Sequence, residues 1–293
     1  MNKVESIDGI KDIIDEYDVF ILDQWGVMHN GKEGYSAAIK CVEILYAYNK
    51  ILIIISNSSK RKHTSADRLS DFGYSKNYFL EIMTSGEMMW QSLVNLNHDF
   101  TKKLQKNCFH IYDKSKEDGK KYLEGLEKFN FVENIEEADF ILGCTPQFNT
   151  TTIDYIPLLT KAIKNKLPFV CANPDFVSPE SNSGKTTICM GTIAELYKNM
   201  GGLVFILGKP SCEIYEESTK KISNLNKSKI LAVGDSLHHD VAGANNFGVD
   251  SLLITSGIHY DCFDKSRPQW QSDRNKLQKF KNEPTFICSN FKN

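Results

Sequence analysis

The amino-acid sequence predicts an α/β protein whose central element is a doubly wound parallel sheet. The first observation is a set of five short apolar runs, rich in β-branched residues and without polar alternation, at residues 19–22, 51–55, 204–207, 230–233 and 251–254. Such runs are typical of strands that are covered on both faces. The second observation is that stretches with helical periodicity lie between them, at residues 37–48, 192–199, 212–222 and 240–247. Strands that alternate with helices predict right-handed crossovers and a doubly wound sheet.

The composition is that of a folded and nearly neutral protein. The 293 residues include 35 Lys and Arg against 37 Asp and Glu, which gives a formal net charge of −2, and 41% of them are apolar. This length favours about two domains. The charge balance gives no reason to expect nucleic acid or an anionic membrane as a partner, and no apolar run approaches the roughly 18 residues of a membrane span.

Two further features bear on where the protein works. The first ten residues lack the apolar segment of a signal peptide, and the eight cysteines are widely spaced without a CxxC pair. Both features predict a cytoplasmic protein with reduced thiols. The sequence does not fix the oligomeric state, and a homodimer is compatible with it.

A second domain is predicted inside the first. About 150 residues separate Ser56 from Lys209, far more than one crossover helix needs. This stretch has its own strand runs at 109–112, 140–143 and 169–172 and its own helical stretches at 116–129 and 153–163. We therefore expect an α/β domain at residues 103–181, inserted into a core made of residues 1–102 and 182–293. The polar stretch 261–283 is expected to be a helical excursion or an irregular segment.

Polar residues follow the predicted strands, and the carboxyl ends of parallel strands are where such sheets bind ligands. The five residues expected in one crevice are Asp23, Ser56, Asn57, Lys209 and Asp235. Two carboxylates, an ammonium, a hydroxyl and an amide are suited to holding an anion together with a metal ion. The alternative is that these polar residues simply begin loops, as most residues at strand ends do.

The motifs around these residues resemble those of a known family. The segments DQWGV from Asp23, SNSS from Ser56, GKP ending at Pro210 and GDS from Gly234, with Asp240 five residues after Asp235, resemble the four motifs of the haloacid dehalogenase (HAD) superfamily. The position of the insert is similar to that of the superfamily's class IIA branch, which includes nitrophenyl-phosphate and pyridoxal-phosphate phosphatases. The resemblance implies a HAD-type, Rossmann-like core with an inserted α/β cap domain.

The resemblance also implies a role for each motif. Asp23 would be the nucleophile, and Mg²⁺ would be bound by Asp23, the main-chain carbonyl of Trp25 and Asp235, with Asp240 at or just outside these ligands. Lys209 would neutralise the nucleophile and the transferring phosphoryl group of a small phosphorylated substrate. Groups at Ser56, Asn57 and Ser58 would bind the phosphoryl oxygens. Asn173 and Asp175 resemble the Asn-Pro-Asp signature of class IIA. They would contact the substrate or clamp the cap to the core, or they would simply form an Asx-Pro turn.

Trp25 departs from the family pattern, because family phosphatases usually have a second Asp there that protonates the leaving oxygen. An indole cannot do this, and general acid–base help is worth about 10²–10⁴-fold in rate. With Trp25 at this position, the chain resembles a sub-branch of class IIA that carries Trp at the same place. Three alternatives stay open: substrates whose leaving groups need little protonation, a proton supplied by His29, or phosphate binding without useful turnover.

Overall fold

The computed structural model describes residues 4–179, 186–263, 270 and 281–293. The strands, in chain order, are β1 (Glu5–Ser6), β2 (Val19–Leu22), β3 (Ile51–Ser56), β4 (Phe79–Thr84), β5 (Asn107–Ile111), β6 (Asn130–Val132), β7 (Phe140–Gly143), β8 (Phe169–Cys171), β9 (Val177–Pro179), β10 (Thr186–Ile188), β11 (Val204–Ile206), β12 (Ile230–Gly234), β13 (Asp250–Ile254) and β14 (Phe286–Cys288). The α-helices are α1 (Ser36–Ala47), α2 (Lys62–Asp71), α3 (Ser85–Asn95), α4 (Asp99–Lys102), α5 (Asp118–Tyr122), α6 (Thr152–Lys164), α7 (Met190–Asn199), α8 (Cys212–Thr219) and α9 (Ala242–Phe247).

The chain forms two compact units. The first consists of Met1–Ser56, His63–Met83 and Lys209–Asn293, and the second of Asn57–Lys62 and Thr84–Gly208. The second unit contains the predicted insert 103–181 and, in addition, residues 84–102 and 182–208. Each unit is built on its own parallel sheet, so the predicted α/β fold class is confirmed.

The sheet of the first unit has seven strands in the order β1-β14-β13-β12-β2-β3-β4. The central strand β2 is buried along its whole length, as its apolar sequence requires, and pairs in parallel with β12 and β3. The chain passes from β2 to β3 in one direction and adds β12 on the other side. The order of the strands therefore reverses between β2 and β12, and doubly wound sheets bind ligands at this switch point.

Helix α1 shows how the sequence covers this sheet. Its buried residues are Ala38, Cys41, Val42 and Leu45, which recur with the spacing of one helix face. They join a core that includes Phe20, Leu22 and Ile54 from the central strands. The burial of this face, rather than the helix propensity of its residues, is what keeps the helix in place.

The second unit contains a five-stranded sheet in the order β11-β8-β7-β5-β6, in which every pairing is parallel. The strands predicted near 109–112, 140–143 and 169–172 are β5, β7 and β8. Helices α6 and α7 pack against each other, and Leu159 and Tyr197 are among the residues that they contribute to the core of this unit. A short antiparallel hairpin, β9 with β10, completes the described elements of the unit.

The prediction that the run at 204–207 belongs to the core sheet is wrong. This run forms β11, which pairs with β8 at the edge of the second sheet, with Val204 opposite Phe169. Its apolar residues resemble those of a core strand because parallel strands of either sheet have this composition. Lys209 therefore does not stand at the end of a core strand, although it belongs to the first unit.

The predicted helix at 116–129 is also too long. Only Asp118–Tyr122 is helical, because Gly125 has a φ of +85°, which ends any right-handed helix before it. Most of the predicted segment 261–283 lies outside the described residues. Within the residues listed above, no helix is long and apolar enough to cross a bilayer.

Candidate active site

Lys209 holds two of the predicted site carboxylates. Asp23 follows β2 directly, and its N–H donates to the carbonyl of Val233 at 2.8 Å. The ammonium of Lys209 donates to Oδ1 of Asp23 at 2.6 Å, to Oδ1 of Asp240 at 2.6 Å and to the carbonyl of Ile55 at 3.1 Å. An ammonium has three donors, so these three acceptors match its capacity. All three charged side chains are buried, and the contacts fix the direction in which the Asp23 carboxylate points.

Asp235 and Asp240 come from the end of β12 and the turn that follows it. Residues Leu237–Val241 form one wide π-helical turn. In this turn Oδ2 of Asp240 accepts the N–H groups of Asp235 at 3.2 Å and Ser236 at 3.0 Å. Oδ2 of Asp235 accepts the N–H of Ile258 at 2.9 Å. The turn thus folds Asp240 back beside Asp235 at the end of the strand.

The three carboxylates form a candidate cation site. Asp23, Asp235 and Asp240 each offer an oxygen, and these oxygens all lie within 4.8 Å of one another. Within the described ranges, no other group of three or more acidic, His or Cys side chains is close enough to share an ion. Three negative charges face the single positive charge of Lys209, so a divalent cation would neutralise the cluster. Hard divalent cations prefer such oxygen ligands, and the donor set fits Mg²⁺.

The pKa of Asp235 reflects this excess of negative charge. Its pKa is raised well above the ordinary value by burial first, and then by the charges of Asp23 and Asp240. The N–H of Ile258 and the ammonium of Lys209 act in the opposite direction and do not compensate. The negative form of Asp235 is therefore costly in the protein alone, and a bound cation would stabilise it.

Two glycines allow the backbone to approach Asp235. Gly26 has a φ of +77°, and a Cβ atom there would lie 2.0 Å from Oδ2 of Asp235; a Cβ at Gly257 would lie 2.2 Å from the same oxygen. The peptide that joins Trp25 to Gly26 is thus next to the acidic cluster. This is the backbone from which the family resemblance implies a carbonyl ligand at Trp25.

The side chains of Trp25 and His29 both belong to the loop after β2. The half-buried indole packs on Gly31 and meets the ring of His29 edge-on, with centroids 6.4 Å apart. His29 is buried, its Nδ1 accepts the N–H of Gly31 at 3.1 Å, and its ring lies against Phe72 at 4.5 Å. Burial, with a smaller contribution from Arg68, lowers the pKa of His29 to about 4. His29 is therefore uncharged at neutral pH, and its hydrogen bonds among the described residues hold the loop rather than Asp23.

The predicted substrate-binding residues fall into two groups. Ser56 is the buried last residue of β3 in the first unit. Asn57, Ser58, Asn173 and Asp175 belong to the second unit. There Nδ2 of Asn57 donates to Oδ1 of Asp175 at 3.0 Å, and Oδ1 of Asn173 accepts the N–H of Asp175 at 3.1 Å. The Asn-Pro-Asp segment and Asn57 are thus joined within one unit, and their contact with a substrate stays a prediction.

Sequence reasoning missed the residues that support these side chains. The N–H of Ile258 and the close approach of Gly26 come from tertiary packing, which the sequence signals only through the glycine next to Trp25. Glu87 and Ser85, at the start of α3, hold the segment that begins at Asn57. A Ser-Gly-Glu segment at a helix start gives no indication of that partner.

Comparison with known proteins identifies the family. A family model described as haloacid dehalogenase-like hydrolase matches residues 20–140, and a second, described as HAD-hydrolase-like, matches residues 206–293. The first match spans Asp23 and Ser56, and the second spans Lys209, Asp235 and Asp240. The chain belongs to the haloacid dehalogenase superfamily.

Relatives and solved structures of HAD proteins agree over nearly the whole chain. The chain is 24% identical to phosphoglycolate phosphatase 1A of Arabidopsis thaliana, over 94% of this chain and 76% of the relative. It is 25% identical to a 4-nitrophenylphosphatase of Schizosaccharomyces pombe, over 87% of this chain and 89% of the relative. A HAD-like hydrolase structure from Brucella suis superposes with a TM-score of 0.81 at 26% identity and covers 97% of this chain and 99% of its own. These comparisons support a HAD hydrolase in the class of phosphoric monoester hydrolases.

Proposed function

We propose that this HAD protein is a Mg²⁺-dependent phosphatase of small phosphorylated metabolites, with Asp23 as its nucleophile and a class IIA arrangement of core and cap. The observation that carries the proposal is the cluster in which Lys209 holds Asp23 and Asp240 while Asp235 lies within reach of the same ion. The first unit would be the catalytic core, and the second would be the cap. Phosphatase relatives that match 94% and 87% of this chain support the phosphatase activity.

The reaction would proceed in two displacements at phosphorus. A carboxylate oxygen of Asp23 forms a bond to phosphorus while the bond to the leaving oxygen breaks, and the electron pair stays on that oxygen. Water then attacks the phosphorus of the aspartyl-phosphate, which restores the carboxylate and releases inorganic phosphate. Lys209 holds Oδ1 of Asp23 in place and offsets negative charge through both steps. The groups at Ser56, Asn57 and Ser58 are proposed to bind the phosphoryl oxygens.

Magnesium would be bound by Asp23, Asp235, Asp240 and the carbonyl of Trp25, and it would reduce the repulsion between the carboxylates and the phosphate dianion. The close approach of Gly26 to Asp235 supports the carbonyl of Trp25 as a ligand. The indole itself contributes no proton. We therefore propose that the enzyme favours leaving groups that depart without protonation, such as those of aryl or acyl phosphates. The burial and low pKa of His29 make it a weaker source of the missing proton.

A second candidate function is phosphate or metabolite binding without efficient chemistry, and Trp25 is the observation that favours it. This alternative predicts that phosphate and Mg²⁺ stabilise the protein without turnover. A turnover number above about 1 s⁻¹ on a cellular substrate, an ordinary value for an enzyme, would exclude it.

The test compares phosphate release by the wild type and by Asp23→Asn on p-nitrophenyl phosphate and on a panel of metabolites. We expect the variant to lose more than about a thousandfold in turnover, as when a nucleophile is removed. A matched control is Asp250→Asn. Asp250 accepts a hydrogen bond from the hydroxyl of Tyr17 at 2.8 Å and lies at the amino end of β13, whereas Asp23 lies at the carboxyl end of β2 in the same parallel sheet. Equal rates for the wild type and Asp23→Asn would exclude Asp23 as the nucleophile.

A further inference from the structure

The first turn of α3 holds the segment that contains Asn57 and Ser58. The N–H of Gly86 donates to the carbonyl of Ser58 at 3.0 Å. Oγ of Ser85 lies within hydrogen-bond distance of two carbonyls, at 2.8 Å from that of Asn57 and at 2.6 Å from that of Ala172. The hydroxyl of Thr84 donates to the carbonyl of Lys60. Three carbonyls of segment 57–62 are thus directed at α3, which fixes the orientation of the peptides that carry them.

Glu87 extends this contact to the end of the segment. Its Oε2 accepts Nε of Arg61 at 2.7 Å and the N–H of Lys62 at 3.2 Å, and its Oε1 accepts Nε2 of Gln91 at 3.0 Å. The guanidinium of Arg61 lies over the ring of Trp90, 3.4 Å from its centroid. Burial tends to raise the pKa of Glu87, but these hydrogen bonds outweigh it and hold the pKa below its ordinary value.

The packing at this contact leaves no room for a side chain at Gly86. A Cβ atom at Gly86 would lie 2.2 Å from the carbonyl oxygen of Ser59. The side chains of Arg61 and Glu87 are only 14% and 3% exposed. A buried ion pair of this kind is a weak source of stability, because both charges lose their hydration, but removing one partner leaves the other charge buried and unpaired.

We propose that Glu87 is a positioning residue for phosphate binding, which acts by fixing the conformation of segment 57–62. This inference rests on the proposed function, in which groups at Asn57 and Ser58 bind the phosphoryl oxygens. Binding groups that are already oriented do not have to be ordered when the ligand arrives, so the ordering cost is removed from the binding equilibrium. Glu87 does not touch the phosphate in this proposal. It acts through Arg61 and the backbone of Lys62.

The test is Glu87→Gln, which keeps the size of the side chain but removes its charge and weakens it as an acceptor. The substrate is p-nitrophenyl phosphate, and the readouts are KM, kcat, the inhibition constant of inorganic phosphate and the thermal midpoint. Charge-assisted hydrogen bonds are lost, so we expect KM and the phosphate inhibition constant to rise together by about tenfold. We expect kcat to change by less than about twofold, because the binding lost is common to ground and transition states.

Asp139→Asn is the matched control. Asp139 is a partly buried carboxylate of the same unit, and it accepts the N–H of Asn107 at 2.8 Å next to the amino ends of β5 and β7. The control should leave KM and the phosphate inhibition constant unchanged. Glu87→Asp, which restores the charge on a shorter side chain, should recover part of the lost affinity.

A Glu87→Gln protein with a lower thermal midpoint but unchanged KM and phosphate inhibition constant would overturn the inference. If Glu87→Gln does not fold, Ser85→Ala takes its place, because it removes one hydroxyl, which contacts the carbonyls of Asn57 and Ala172. The same rise in both constants is then expected, and its absence counts against the proposal. If the wild type turns over no substrate, direct titration with inorganic phosphate separates the two proposals. Weaker phosphate binding by Glu87→Gln would then support the inference while the proposed function fails, and no binding by the wild type would overturn both.

Discussion

Asp235→Asn should stabilise the metal-free protein and abolish its response to magnesium. Each carboxylate of the cluster has an oxygen within 4.8 Å of the others. At that separation, with an effective dielectric constant of about 20, one pair of like charges costs about 3 kcal/mol. Asp235 faces two carboxylates and one ammonium, so about one such repulsion is left uncompensated. Protonation of Asp235 relieves part of it, and we expect the substitution to raise the free energy of unfolding by about 2 kcal/mol.

The assay is calorimetric unfolding in EDTA and in excess MgCl₂. A gain of about 2 kcal/mol corresponds to a midpoint about 5 °C higher for a domain of this size. The wild type should gain about 2.7 kcal/mol from Mg²⁺ at a hundred times its dissociation constant, and Asp235→Asn should gain almost nothing. The control is Asp250→Asn, which should keep the full response. A destabilised Asp235→Asn protein in EDTA, or one that Mg²⁺ stabilises as much as the wild type, would refute this account of the cluster.

Two other substitutions test features away from the nucleophile. Trp25→Asp restores a proton donor, so kcat on an alkyl phosphate should rise by about a hundredfold. The kcat on p-nitrophenyl phosphate, whose leaving group needs no proton, should rise little. An equal rise in the control Trp25→Phe would contradict this reasoning. In the second unit neither ring nitrogen of His110 has a hydrogen-bond partner among the described residues, and burial lowers its pKa to about 3. In the unfolded chain the imidazole of His110 is protonated as the pH falls below about 6.5, but in the native protein it stays neutral until about pH 3. The free energy of unfolding therefore decreases as the pH falls from about 6.5 towards 3. His110→Phe should therefore be more stable than the wild type by about 2 kcal/mol at pH 5, as measured by urea unfolding. If the variant instead loses stability faster than the wild type as the pH falls, the ring is not buried in its neutral form.

The fold was predictable from the sequence where periodicity and burial act locally. The runs at 19–22 and 230–233 are strands because parallel strands covered on both faces must be apolar throughout, and they are β2 and the first four residues of β12. The run at 204–207 is chemically the same, yet it forms β11 in the other sheet. Composition reports that a strand is buried but not which sheet buries it, because sheet membership depends on the long-range path of the chain.

The candidate site was predictable to the extent that topology determines it. Asp23 and Asp235 follow neighbouring parallel strands, so their proximity follows from strand order. Asp240 comes near them through a π-helical turn, and Lys209 reaches them from a segment that follows β11. A single sequence indicates neither path without the resemblance to a family. Glu87 was not predictable, because its partners Arg61 and Lys62 lie 25 or more residues away and nothing in a Ser-Gly-Glu segment specifies them.

The close contact of Gly26 and Gly257 with the Asp235 carboxylate limits how this enzyme could be re-engineered. Any side chain at either position would have to displace that carboxylate, with which it would otherwise collide. A directed-evolution library should therefore keep both codons fixed and put its diversity at position 25, whose partly exposed side chain can vary while the neighbouring backbone stays in place. Variants with a substitution at either glycine would lose the arrangement of the Asp235 carboxylate, so a screen for new activity would discard them.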